Sequence, residues 1–271
     1  MFENKECFFD AERYTIQDDQ TSVSAEHRHS YHELYFLLDG DTHLFINNEI
    51  MDVSVGQCAF VWQGYIHKFT YNEKQRSHRL LIRFNSAFIG EEYVPMLREL
   101  RKRKRIDILP DAFSVLKEQL AAILYEKKNQ DIHSLLQCQN LLRQVIILLC
   151  RQPELQQVRN ISQNERIIQC AAQYISAHYS EKLSLQNLAQ QFSMSESHFS
   201  RTFKEHTGIG VAQYIKHIRL RAAEKMLLQK AGSITEIAFA CGFNNSNYFI
   251  HDFKKHHGIT PLQYALNSQK E

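Results

Sequence analysis

Near its N-terminus the chain carries His27, His29 and Glu33 in the spacing H-x-H-x3-E, with Gly40 seven residues further on. On a strand, residues 27, 29 and 33 fall on one face, so two imidazoles and a carboxylate converge, and His67 at the end of a later strand can add a fourth ligand. Such a nitrogen and oxygen set (His27, His29, Glu33, His67) suits a divalent transition metal. Without metal the same side chains form a hydrogen-bonding pocket for an organic effector, with Tyr31, Tyr35 and Trp62 as walls, because small-molecule sites join aromatic walls to a few polar groups. A second chemically capable set lies near the C-terminus: Ser197, Ser200, Arg201 and Lys204, then Ser246, Asn247, Ile250, His251 and Lys254 about fifty residues later. Arg and Asn can make paired hydrogen bonds to guanine and adenine edges, and Lys suits phosphates.

The sequence holds no P-loop, no Gly-x-Gly-x-x-Gly stretch and no nucleophile signature. Its six cysteines form no C-x-x-C pair, which argues against a zinc ribbon or a disulfide framework and for small buried apolar side chains. No enzymatic activity and no cofactor is expected, a divalent metal at the first site being the alternative.

The elements that must position these residues divide the chain in two. At 271 residues, 44% apolar and 23% charged, it has the composition of a globular protein of two domains. No apolar run is long enough to span a bilayer, and the first residues lack the basic start and apolar stretch of a signal peptide, so no membrane association and a cytoplasmic location are expected. Residues 12–85 read as short Val-, Ile-, Phe-, Tyr- and Thr-rich antiparallel strands between turns such as Asp39-Gly40-Asp41, Asn47-Asn48 and Gln63-Gly64. Residues 113–128 and 132–150 carry apolar side chains at helical spacing, Ile132 among them, and form a helical hairpin. That hairpin has apolar surface enough to need cover from the strands and from a second subunit. The first domain is thus 1–151. A polar, Gln-rich linker follows over 152–162, and everything from 163 to 271 is helical by period. Arg101 to Arg105 is the one charge run and reads as a solvated loop or interface arm.

The C-terminal part is also the basic one. Residues 160–271 hold 12 Lys and Arg against 8 Asp and Glu, and 1–159 hold 20 against 22. A modest basic excess is compatible with nucleic acid. Within it, His198–Tyr214 and Tyr248–Tyr264 share eight of 17 residues at an offset of 50, so a unit is duplicated. Each copy has the parts of a helix-turn-helix: Leu185 to Phe192, a turn at 193–195 and a second helix from about Glu196 to His206, answered by Thr235 to Cys241, Gly242-Phe243 and Asn247 to His256. Gly208 and Gly258 are placed to end the second helices in the left-handed conformation. With Phe199, Phe203, Phe249 and Phe253 facing the core, 100° per residue turns the nine polar and flanking residues named above outward. Val211 to Leu228 joins the copies as a helix on the order of 27 Å long, close to the ~34 Å between successive major-groove faces of DNA.

About 100 C-terminal residues, and the stretch Gly242 to Tyr264 almost throughout, resemble the AraC/XylS family of transcriptional regulators. The resemblance implies a seven-helix double helix-turn-helix domain on an asymmetric double-stranded DNA site, a regulator that activates more often than it represses, and RNA polymerase as a partner. His251 stands where the family usually has Arg or Lys. The motif at His27 to Gly40 is similar to the first motif of the cupin β-barrels, and Gly56-x5-Trp62-x-Gly64-x2-His67 to the second, with Trp62 in place of proline and Tyr71 in place of asparagine. The expected fold is therefore a two-domain one: an N-terminal cupin-like antiparallel β-barrel with a helical hairpin, and a C-terminal all-α double helix-turn-helix. The expected function is a homodimeric, sequence-specific regulator answering to a small-molecule effector such as a sugar. A metal-dependent cupin enzyme with a DNA-binding appendage, and a constitutive regulator whose barrel only dimerises, are the alternatives.

Overall fold

The computed structural model describes residues 7–16, 30–71, 77–154 and 162–267. The chain forms two compact units, Met1–Asn160 and Ile161–Glu271. Among the described residues no helix is long and apolar enough to cross a membrane.

In the first unit, strands β1 (Phe9–Ile16), β2 (His32–Asp39), β5 (Gln57–Val61), β7 (Ser77–Phe84) and β8 (Arg105–Asp107) build a five-stranded sheet in the order β1-β7-β2-β5-β8. Strands β3 (Asp41–Ile46), β4 (Glu49–Ser54) and β6 (His67–Tyr71) form a second sheet, ordered β4-β3-β6. All described pairings are antiparallel. The expected closed barrel is not formed: no ladder joins the two sheets among the described strands, which instead share a core between their faces.

That core explains why the strand sequences do not simply alternate. Along β2, Tyr35 and Leu37 point between the sheets while Leu34 and Phe36 point to the opposite face, so Leu34 to Leu37 are all buried. A strand covered on both sides reads as a continuous apolar run. The outer face of the large sheet is covered by α1 (Ser86–Ile89), α2 (Val94–Arg103), α3 (Pro110–Asn129) and α4 (Ser134–Cys150), through Leu97, Leu100, Leu116, Leu120, Val145 and Ile146 among others. The hairpin α3–α4 turns at Gln130, whose φ of 56° ends α3. Ile132, expected on the buried stripe, is 90% exposed because it falls in that turn.

The charge run is not a loop. Arg101, Lys102 and Arg103 end α2, where cations meet the negative end of the helix dipole. Arg103 donates to the carbonyls of Leu149 and Pro153, Lys104 pairs with Glu49, and Arg105 donates to the carbonyl of Asp52. The reading of the cysteines as buried also needs correction: Cys58, Cys138 and Cys241 are buried, but Cys7 and Cys150 are half-buried and Cys170 is exposed.

The second unit has seven helices among its described residues: α5 (Gln163–Ala177), α6 (Leu185–Gln191), α7 (Glu196–Thr207), α8 (Val211–Leu228), α9 (Ile234–Ala240), α10 (Ser246–His257) and α11 (Pro261–Asn267). Side-chain caps fix their starts: Ser162, Ser184, Ser195, Ser233 and Asn245 each accept a backbone N–H of the first turn, a contact worth about 1 kcal/mol.

Candidate nucleic-acid interface

The duplicated segments fold alike. In α6–α7 the turn passes through Ser193 at φ 57°, and in α9–α10 through Gly242 at φ 83°. Met194 N–H donates to Ala189 O in one, Phe243 N–H to Ala238 O in the other. Asn244 is the one extra residue of the second copy, lying between that turn and the cap of α10. Gly208 and Gly258 end α7 and α10 with φ of 87° and 77°.

An aromatic ladder supports each second helix from behind. Phe199 and Phe203 stand 5.8 Å apart and Phe203 meets Tyr214 edge-on at 5.3 Å. Phe249 and Phe253 stand 5.5 Å apart and Phe253 meets Tyr264 at 5.4 Å. The four phenylalanines are fully buried, each stabilising by roughly 1.5–3 kcal/mol, and this fixes the rotation of α7 and α10 about their axes.

The opposite faces carry the expected side chains. Ser197, Arg201 and Lys204 on α7 are exposed and Ser200 is half-buried. On α10, Asn247, His251 and Lys254 are exposed, and Ser246 and Ile250 are half-buried. α10 begins at Ser246, one residue before the expected Asn247, with Asn245 as its cap. Ile250 packs against the core of the second copy, which leaves less of it to face outward. Arg201 is held loosely, with Nε 3.8 Å from Glu205 and a terminal nitrogen 3.4 Å from His198 Nδ1, both on the exposed surface.

The first unit gathers a different chemistry on the inner face of its large sheet. The register aligns Asp10, Arg83 and Glu33 in one row, and Tyr14, Arg79 and Leu37 in another. Arg83 lies 3.1 Å from Asp10 and 3.9 Å from Glu33, and donates to the Tyr14 hydroxyl. Lys127 of α3 pairs with Asp10 from outside. Burial alone would raise the Asp10 carboxyl, but Lys127 and Arg83 outweigh it and hold it below its usual range. Burial lifts the phenols of Tyr35, Tyr31 and Tyr14 above their ordinary value. Tyr35 stacks on Phe69 at 4.0 Å, and His67, 5.8 Å beyond that ring, has Nδ1 3.2 Å from Tyr65 O. Tyr31 stacks on Phe8 before β2 begins. Trp62 is not an inner wall alone: it touches both cores, packs against His32 and lies beneath the Arg101 guanidinium. His27 and His29 lie outside the described residues. Neither Glu33 nor His67 belongs to a group of three described His, Cys, Asp or Glu close enough to share an ion.

Residues 188–267 match the model of a family described as a helix-turn-helix domain. The HTH-type transcriptional activator RhaR of Mannheimia succiniciproducens is 28% identical over 243 residues, spanning 88% of this chain and 86% of that protein. The HTH-type transcriptional activator RhaS of Enterobacter sp. (strain 638) is 25% identical over 245 residues, again 88% and 86%. The chain belongs to the AraC/XylS family of transcriptional regulators.

It is a DNA-binding transcription regulator of that family, and its likeness to the two activators runs through both units. The C-terminal domain of AraT, a response regulator from Geobacillus stearothermophilus, is 34% identical, covering 39% of this chain and 88% of that one with a TM-score of 0.37. His251, where the AraC-type pattern usually has Arg or Lys, is 75% exposed with Nδ1 3.6 Å from Asp252, which also pairs with Lys216.

Several positioning residues of this AraC-family chain escaped the sequence reading. Arg219 of α8 donates to the carbonyls of Tyr179 and Glu181, anchoring the α5–α6 connection. Arg79, Arg83 and Asp10 gave no motif because their strands pair across more than forty residues of sequence. Only the alternation along β7, with Leu80, Ile82 and Phe84 on one face and Arg79, Leu81 and Arg83 on the other, signals them.

Proposed function

We propose that this regulator is a transcriptional activator which reads an asymmetric double-stranded DNA site with α7 and α10 and responds to a small-molecule effector held between the sheets of its first unit. The observation that carries the DNA part is the repeated layout of the two helices: Ser197 and Asn247, Arg201 and His251, Lys204 and Lys254 are exposed in register above buried phenylalanine pairs. Arg201 and Asn247 read base edges, Lys204 and Lys254 bind phosphates, and Ser197, Ser200, Ser246, Ile250 and His251 complete the contact surface. The α8 helix, on the order of 27 Å long, sets the two recognition helices in successive major grooves.

The effector part rests on the inner face of the large sheet. Two half-buried arginines, Glu33 and the hydroxyls of Tyr14 and Tyr31 offer both donors and acceptors, the requirement for a polyhydroxy or carboxylate-bearing ligand, with Tyr35, Trp62 and His67 beside them. His27 and His29 complete this pocket in the proposal. The exposed Val115, Tyr125 and Leu136 of the α3–α4 hairpin supply the homodimer surface. The protein works in the cytoplasm with RNA polymerase as its downstream partner, and it carries out no chemistry of its own.

The test is the melting temperature of the full chain against a panel of monosaccharides and small organic acids, paired with DNA affinity. One compound class should raise the melting temperature by mass action and change the affinity for DNA. Glu33→Gln should abolish both responses while ligand-free DNA binding persists. Silence across the panel, or a melting shift that leaves DNA affinity unchanged, contradicts the effector reading.

A further inference from the structure

DNA recognition leaves unused a group of side chains at the back of the second helix-turn-helix. His256 and His257 occupy the last turn of α10, and Glu224 stands on α8. One ligand atom from each lies within 4.8 Å of the other two, all three residues are half-buried, and no other such group of three occurs among the described residues. Glu224 Oε1 is 3.0 Å from His257 Nε2. That nitrogen is shielded from solvent.

A separation of 3.0 Å fits two ligands of one ion. With metal–ligand bonds of about 2.0–2.1 Å, neighbouring donor atoms are roughly 3.0–3.4 Å apart. From within 4.8 Å, His256 reaches that separation by a closure of at most about 1.4 Å, within the swing of a half-buried side chain. Packing already orients the rings: His257 stacks on Phe253 at 4.2 Å and lies 5.1 Å from Tyr264, and His256 lies 4.8 Å from His257 and 5.1 Å from His217 of α8. The carbonyls ending α10 carry the negative pole of the helix dipole, which favours a cation there.

The internal repeat shows that the fold does not require this group. Fifty residues earlier His206 answers His256, but Thr207 answers His257. Thr207 is buried and its hydroxyl bonds the Phe203 carbonyl of its own helix. The helix-turn-helix therefore forms without a histidine at that position.

We propose that Glu224, His256 and His257 bind a divalent transition metal ion of the zinc type, tying α8 to the end of α10. Two imidazole nitrogens and one carboxylate oxygen suit Zn2+, Co2+ or Ni2+ and not Ca2+ or Mg2+, which take oxygen shells. Three protein ligands leave a fourth tetrahedral position for water or for His217. The ion stiffens the unit that presents Asn247, His251 and Lys254, without touching DNA itself.

The experiment uses the full chain, stripped with a chelator and titrated with Co2+ as a spectroscopic probe and with Zn2+. One equivalent of Co2+ should produce a visible absorption band that Zn2+ displaces, and saturating Zn2+ should raise the melting temperature by roughly 5–10 °C. Glu224→Gln and His257→Gln should each weaken binding beyond the roughly 10–100-fold that loss of a supporting partner costs. His29→Ala should leave the band intact, which separates this site from the N-terminal histidines. Should His257→Gln fail to fold, Glu224→Gln carries the test. No band in the wild type, a band surviving both variants, or a band lost in His29→Ala overturns the proposal.

Discussion

Arg201, proposed to read base edges, does little for the fold. Its guanidinium is 70% exposed and its partner Glu205 61%, an ion pair of the kind that contributes about 0–1 kcal/mol. Arg201→Ala should therefore shift stability by no more than about 0.5 kcal/mol, yet cost about 1–3 kcal/mol of DNA binding and relax base preference in one box only. Lys254→Ala should weaken binding to all sequences alike and lower the salt slope by about 1. Quantitative binding to a set of single-base variants separates the two, and equal relaxation in both boxes by Arg201→Ala would refute its assignment. These exposed residues were legible in the sequence because the phenylalanines at 199, 203, 249 and 253 fix the helix rotation, and helical geometry does the rest. The polar network of Asp10, Arg83, Glu33 and Lys127 was not legible. Its members meet only when β1, β7, β2 and α3 come together, and no local spacing announces a long-range pairing.

At the scale of elements, the two turns of the repeated unit make the sharpest contrast. A Cβ on Gly242 would lie 2.7 Å from the Tyr179 carbonyl oxygen and 2.9 Å from Ser180 Cα, both backbone atoms that cannot rotate away. A Cβ on Gly258 would meet nothing within 4 Å. Both glycines have positive φ, so Gly258→Ala should cost only the left-handed penalty of about 1–2 kcal/mol. Gly242→Ala adds the steric term and should cost about 2–4 kcal/mol, lowering the melting temperature of the second unit by roughly 10 °C or more. Thermal melts of the two variants check this, and equal losses would mean that the α5–α6 connection yields. The helices α6 to α10 were readable from caps, glycines and the duplication to within one or two residues, whereas α5 and α11 were read only as part of a helical stretch. The first unit was readable as strands followed by a helical hairpin, but α1, α2 and β8 went unseen. In α2 only Leu97 and Leu100 are buried and five basic residues run from its end into β8, so charge masks a short amphipathic pattern. The barrel was an expectation drawn from resemblance, and the two sheets share a core without joining edges.

For the whole molecule, the division into Met1–Asn160 and Ile161–Glu271 gives two units of different charge. The basic excess lies in the second, where 12 Lys and Arg face 8 acids. Phosphate contacts release counterions, so affinity must fall steeply as salt rises, whereas base readout survives as a ratio between sites. One chain is proposed to read two boxes with α7 and α10. The most direct measurement is the full chain's affinity for DNA containing both boxes at a spacing varied base pair by base pair, at several salt concentrations. Binding should be tightest when the boxes are about one helical turn apart, with a loss of about 10-fold or more at half a turn and a log–log salt slope of several units at every spacing. Affinity that ignores both spacing and sequence would contradict the two-box reading, leaving only a basic surface attracted to any DNA.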